Sequence, residues 1–167
     1  MTQDYRDKTN VDLDELLIEA MESEKKAMEF YSKASSNATS PAGKKFFKEL
    51  ANFENNHYFK VKKIIESRIS NTESNTSFKN KKIPIRTAEI EGELEYDGDE
   101  IVNVINLAID AEKKAQERYR KIADFINSDE DKKIFNNLLE EEKNHQKMLE
   151  DQFYHISNKG TIIWEER

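Results

Sequence analysis

The sequence predicts an all-α fold: a four-helix bundle built from two duplicated helix hairpins joined by a long crossover. Three observations carry this expectation. Charged residues make up 37% and hydrophobic residues 36% of the 167, with only four Gly and two Pro, the composition of helices that solvate one face and bury another. The chain also repeats itself. "EKKAMEFYSK" at 24–33 lies over "EKKAQERYRK" at 112–121, and the same shift, 112 − 24 = 88 residues, lays "KKFFKELANFENNH" (44–57) over "KKIFNNLLEEEKNH" (132–145) without a gap. Such self-similarity marks an internal duplication. Finally, apolar residues recur three and four positions apart in four separate stretches, the period of an amphipathic helix.

The first helix is expected from about Asp12 to Asn37, with Leu13, Leu16, Leu17, Ala20, Ala27 and Tyr31 on one face. Ser40-Pro41 reads as an N-cap followed by proline in the first helical position. It opens a second helix whose stripe holds Phe47, Leu50, Val61 and Ile64. This first helix pair spans 12–69. Residues 70–96, "SNTESNTSFKNKKIPIRTAEIEGELEY", are polar, contain a proline and are too long for a tight turn; they read as a crossover running back along the bundle. "DGD" at 97–99 supplies a turn and cap for the third helix. There Ile101, Val104, Ile105, Ala108, Ala115, Tyr119 and Ile122 repeat the first pattern. A start between Ser128 and Asp131 leads into Phe135, Leu138 and Leu149, which repeat the second. The second pair spans 97–155 and a short tail 156–167. The crossover's "IPI" and the tail's "GTIIW" are expected as short extended pieces, and Trp164 as a packing anchor. All of this fits a single domain over 1–167.

Several classes of function are excluded by composition. A formal charge of −7 leaves no basic excess to neutralise nucleic-acid phosphates or an anionic membrane. With no cysteine there are no disulfides, thiolate-held metals or thiol catalysis. "MTQDYRDKTN" carries no apolar targeting core, and no run of 18 or more apolar residues occurs, so a soluble, cytoplasmic protein is expected.

The apolar stripes are interrupted by charge. On the second helix, positions 47, 50, 54, 57, 61 and 64 form one face, and 54 and 57 are Glu and His. On the fourth, 135, 138, 142, 145 and 149 carry Glu142 and His145; on the first and third, Glu24 and Glu112 each precede a tyrosine, Tyr31 or Tyr119, by two turns. Glutamate supplies 23 of the 167 residues, so chance alone puts one three places before a histidine about one time in seven. Chance does not put both pairs in the register of the duplication.

A lone carboxylate in a bundle interior costs several kcal/mol, roughly, unless paired or metal-bound. Four carboxylates cannot satisfy one another, and two imidazoles are too few to neutralise them. Two divalent cations solve both problems. The i, i+3 spacing of each Glu-x-x-His aims both side chains to one side of their helix. Carboxylate and imidazole ligands without sulfur favour iron, then manganese, over a closed tetrahedral zinc site. The expected ligands are Glu24 and Glu112 singly, with Glu54/His57 and Glu142/His145 as motif pairs. Either pair alone is more often a solvated face than a ligand pair; six residues in one register on four inward faces reverse that reading. Tyr31 and Tyr119 read either as core aromatics or as donors that orient the ligand carboxylates. His155, outside the repeat and preceded by Gln152, is given no metal role; Lys25, Lys26, Lys113 and Lys114 read as solvated helix backs.

At "EKKAMEFY", "FENNH", "EKKAQERY" and "EEKNH" the chain resembles the rubrerythrin branch of the ferritin-like di-iron carboxylate proteins, over about residues 12–155. The resemblance implies a ferritin-like bundle with a non-haem di-iron centre that reacts with hydrogen peroxide or dioxygen, often in a homodimer and with a role in oxidative stress. It carries the six ligands onto Glu24, Glu54, His57, Glu112, Glu142 and His145, and the hydrogen-bonding tyrosines onto Tyr31 and Tyr119. Two departures stand out. Full-length rubrerythrins carry a cysteine-rich rubredoxin domain, absent here, so a separate electron donor, rubredoxin-like or flavoprotein, is implied. They also carry an extra glutamate one turn after the third-helix ligand, tied to a redox-linked iron shift, where this chain has Ala115. The expected function is therefore a di-iron oxidoreductase reducing peroxide or dioxygen. The alternatives are a ferroxidase or iron-handling protein, and a metal-binding bundle without turnover, holding manganese or zinc.

Overall fold

The computed structural model describes residues 12–71, 100–160 and Ile162. They form four helices: α1 (Leu13–Asn37), α2 (Pro41–Asn71), α3 (Glu100–Phe125) and α4 (Asp129–Lys159). Their boundaries follow local chemistry. The Asp12 carboxylate caps α1, accepting from the N–H groups of Asp14 at 3.0 Å and Glu15 at 3.4 Å, and Asp14 and Glu15 favour the positive end of the helix dipole. Ser40 caps α2 as expected, its Oγ accepting from Gly43 N–H at 3.0 Å. Ser128 caps α4 by accepting from Asp131 N–H at 3.3 Å.

α4 runs past the expected boundary at 155, because the chain offers no stop signal before Gly160. That residue takes the left-handed conformation, φ 72°, and its N–H bonds the Ile156 carbonyl, as glycine does at helix C-termini. Gly43 matters for another reason: a Cβ there would stand 3.0 Å from Ser40 Oγ and 3.3 Å from Ile162 Cδ1, so its smallness lets buried Ile162 return onto the start of α2. The "IPI" of the crossover, the "DGD" cap and Trp164 lie outside the described residues, as does all of 72–99.

Short connections make each pair an antiparallel hairpin, with α1 packed along α2 and α3 along α4. The hairpins meet mainly through α1 and α3, while the α2 and α4 backbones keep further apart. Two apolar clusters fill the interior. One includes Leu17, Val61, Ile64, Tyr119, Ile122 and Phe135; the other includes Tyr31, Phe47, Leu50, Ile105 and Leu149. Burying each such side chain contributes about 1.5–3 kcal/mol. Along every helix the passage from one cluster to the other crosses a buried glutamate. Among the described residues no helix is long and apolar enough to cross a membrane.

Candidate metal centre

The six expected ligands converge between the two apolar clusters, and none is more than 3% exposed. The i, i+3 spacing sets each motif pair on one face: His57 Nδ1 lies 3.4 Å from Glu54 Oε2, and His145 Nδ1 lies 3.1 Å from Glu142 Oε2. The motifs also reach across the bundle. Glu142 Oε1 is 2.7 Å from His57 Nδ1, and Glu54 Oε1 is 3.3 Å from His145 Nδ1. Glu54 and Glu142 thus each show one oxygen to each imidazole. Glu24 faces only the first, 3.8 Å from His57 Nδ1, and Glu112 only the second, 3.6 Å from His145 Nδ1. The two rings stack with centroids 5.4 Å apart.

The result is two adjacent ligand groups that share two carboxylates. One is Glu24, Glu54, His57 and Glu142; the other is Glu54, Glu112, Glu142 and His145, with the donor atoms of each within 4.8 Å of one another. Tyr31 Oη donates to Glu112 Oε1 at 2.5 Å, and Tyr119 Oη donates to Glu24 Oε1. Each tyrosine therefore orients the single carboxylate of the other half. Both readings of these residues hold together, since the rings also pack in the apolar clusters.

A model of the rubrerythrin family matches residues 11–152. The chain belongs to the rubrerythrin family. Two solved structures share its fold: a hypothetical protein from Pyrococcus furiosus, 24% identical, covering 89% of this chain and 92% of its own with a TM-score of 0.72; and a candidate ferritin-like diiron-carboxylate protein from Thermotoga maritima, 20% identical, covering 89% and 96% with a TM-score of 0.61. No curated protein sequence matches the chain.

The electrostatics of this rubrerythrin-family site follow from burying four carboxylates beside two imidazoles. Burial, then the neighbouring Glu54 and Glu142 charges, holds Glu24 well above the usual carboxylate range. Glu112 is raised by burial and the same two neighbours. Burial would raise Glu54 and Glu142 too, but their hydrogen bonds, the histidines among the partners, more than offset it and hold both low. Burial alone would lower the histidines, yet the surrounding carboxylates raise both, His145 to about 12. Burial and the adjacent glutamates raise Tyr31 and Tyr119, keeping both as O–H donors. Even so, Glu54 Oε1 is buried with only an ion-pair approach to His145 Nδ1, at 3.3 Å, and no well-aligned hydrogen bond. A buried acceptor so poorly met beside another carboxylate, in a donor set of oxygen and nitrogen only, fits two divalent cations.

Ala115 packs against an apolar cluster, so α3 adds no further carboxylate one turn after Glu112. His155 belongs to neither ligand group; its ring meets Tyr154 edge-on, centroids 6.0 Å apart. One residue at the site escaped the sequence reading. Glu141 Oε2 lies 2.6 Å from His57 Nε2, and its other oxygen lies 3.4 Å from Lys60 Nζ. The signal was present: position 141 lies over 53 in the duplication (53 + 88), and 53 is Phe.

Proposed function

We propose that this chain is a non-haem di-iron oxidoreductase that reduces hydrogen peroxide or dioxygen. A separate rubredoxin-like or flavoprotein donor supplies electrons, and the protein works in the cytoplasm as a homodimer. The observation that supports this most is the sharing of Glu54 and Glu142 between the two histidine-containing groups. Shared carboxylates would hold two ions close enough to act on one small oxidant. Oxygen and imidazole ligands favour iron or manganese, and the family membership favours iron.

Glu24 and His57 would hold one ion, Glu112 and His145 the other, with Glu54 and Glu142 between them. When bound, the two ions supply the electron pair that reduction of a peroxide to two waters requires, with two protons taken up from solvent. The protein's own part is positional. Tyr31 and Tyr119 restrain the single carboxylates by hydrogen bonds, and burial with the adjacent glutamates raises their pKa and keeps those O–H donors protonated across the physiological range. The flanking apolar clusters exclude bulk water and strengthen every charge interaction inside. With Ala115 where a further carboxylate could stand, each ion would be held by one histidine, one single carboxylate and the two shared ones.

Anaerobic Fe(II) titration of the metal-free protein, followed by peroxide or air, tests the reading through near-ultraviolet charge-transfer absorption. Saturation at two irons per chain with fast oxidation by peroxide is expected. Fast oxidation by air with release of Fe(III) would assign the chain to iron handling instead. Stoichiometric binding of zinc or manganese with no redox response would leave a bundle without turnover.

A further inference from the structure

The duplication makes the two halves of the centre nearly equivalent, and one position breaks the equivalence. Beside His57, on α4, stands Glu141, its carboxylate 2.6 Å from Nε2. The duplicate position beside His145, on α2, holds Phe53, whose ring lies against the imidazole with centroids 4.9 Å apart. Phenylalanine has no acceptor to offer. Glu141 is also the member of the arrangement that reaches solvent: its side chain is 43% exposed. It lines a groove of about 900 Å³ between α2 and α4, with Lys60, Lys63, Arg68 and Asn137 among the other walls.

From this we infer that Glu141 is a positioning residue that makes the two metal sites unequal, so that the site of Glu24, Glu54, His57 and Glu142 fills first and binds more tightly. The inference rests on the dinuclear metal reading. With Nδ1 turned to the carboxylates of the centre, the Nε2 proton of His57 points at Glu141, which accepts it. A carboxylate partner on the second ring nitrogen fixes the tautomer and the ring orientation and makes the first nitrogen a better donor to the metal. His145 has the same inward nitrogen but an apolar neighbour in place of the carboxylate, so its site lacks that support. The groove reinforces the order, because Glu141 joins the solvent side of the bundle to the His57 half.

The test uses Co(II) added anaerobically to the metal-free full chain, followed by calorimetry and visible absorption. Two binding steps of unequal affinity are expected. Losing such a partner weakens metal binding by roughly 10–100-fold, so Glu141→Gln should weaken the tighter step by about that factor and leave the other in place. Phe53→Glu, which restores the duplicate carboxylate, should strengthen the weaker step and draw the two together. In the Zn(II)-loaded protein, the His57 Nε2 proton resonance should lie downfield of that of His145 and move back in Glu141→Gln, a shift that a merely structural role would not produce. Two equal steps in the unaltered protein, or unequal steps untouched by Glu141→Gln, would overturn the inference while leaving the dinuclear site intact. No binding of two ions would overturn both.

Discussion

Each of Glu54 and Glu142 shows one oxygen to each histidine, whereas Glu24 and Glu112 serve one side apiece. Single substitutions should therefore fall into two kinds. Glu54→Ala removes a ligand from both groups, and should abolish stoichiometric binding of either ion. Glu24→Ala spoils only the His57 side and should leave about one ion per chain at the other. Elemental analysis after dialysis against limiting free metal separates these outcomes; equal losses would contradict the sharing. Protonation gives a second prediction at this scale. His145 is raised from 6.5 to about 12, and His57 is raised as well. Their contribution to the metal-free fold is thus complete below pH 6.5 and is lost as pH climbs toward 12. Glu24 and Glu112, raised from 4.5, act in the same direction, because the folded state holds protons that the unfolded chain has released. Glu54 and Glu142 are lowered and matter only in acid, below the ordinary carboxylate value. Between about pH 6 and pH 9 the metal-free protein should lose stability as pH rises. Metal binding must displace these same protons, so its affinity should increase across that interval. Calorimetry in two buffers of different ionisation enthalpy would count the protons released; a count of zero would refute the assignment.

At the scale of the helix, the caps do what their sequence positions announce. Ser128 Oγ accepts from Asp131 N–H, and the three acidic residues of the first turn of α4 complement its dipole. Ser128→Ala should cost about 1 kcal/mol, which for a chain of this size lowers the melting temperature by roughly 2–4 °C; an unchanged melting curve would show the cap to be idle. These starts were legible because capping is local chemistry written in neighbouring residues. So were the four stripes and the inward placing of the six Glu and His residues, since a shared register fixes which face of each helix turns in. The end of α4 was less legible: Phe153 and Ile156 carry the helical spacing of Leu149 past 155, and the stop signal is the backbone freedom of Gly160. What could not be read from one helix at a time is contact across the bundle. The crossed pairing of Tyr31 with Glu112 and Tyr119 with Glu24 depends on how the hairpins are set against each other. So does the meeting of Glu141 with His57, since Glu141 alone looks like one more exposed glutamate in "EEEKNH".

At the scale of the bundle, the described residues form an apolar core divided by a charged layer, and the two single carboxylates of that layer work against the metal-free fold. Glu24 and Glu112 are fully enclosed, and burial together with two like-charged neighbours disfavours their ionised forms. At neutral pH each must hold a proton it would lose in water, or remain a poorly compensated charge. Replacing a buried, poorly compensated carboxylate by an uncharged group of the same shape removes the cost of desolvating its charge. The double substitution Glu24→Gln with Glu112→Gln keeps the shape of both side chains and a carbonyl oxygen for each tyrosine to donate to. The metal-free variant should therefore melt several degrees above the metal-free parent. Metal reverses the order. Each ion held at a thousandfold excess over its dissociation constant adds about 4 kcal/mol to the parent, and the variant, lacking a carboxylate on each side, gains little of it. Thermal melts with and without two equivalents of Fe(II), kept anaerobic, give the four temperatures needed. A crossing of the two proteins on metal addition would establish that the charged layer is retained for binding at the expense of the empty fold. A variant that melts lower in both states would show instead that these carboxylates hold the bundle together through their tyrosine bonds.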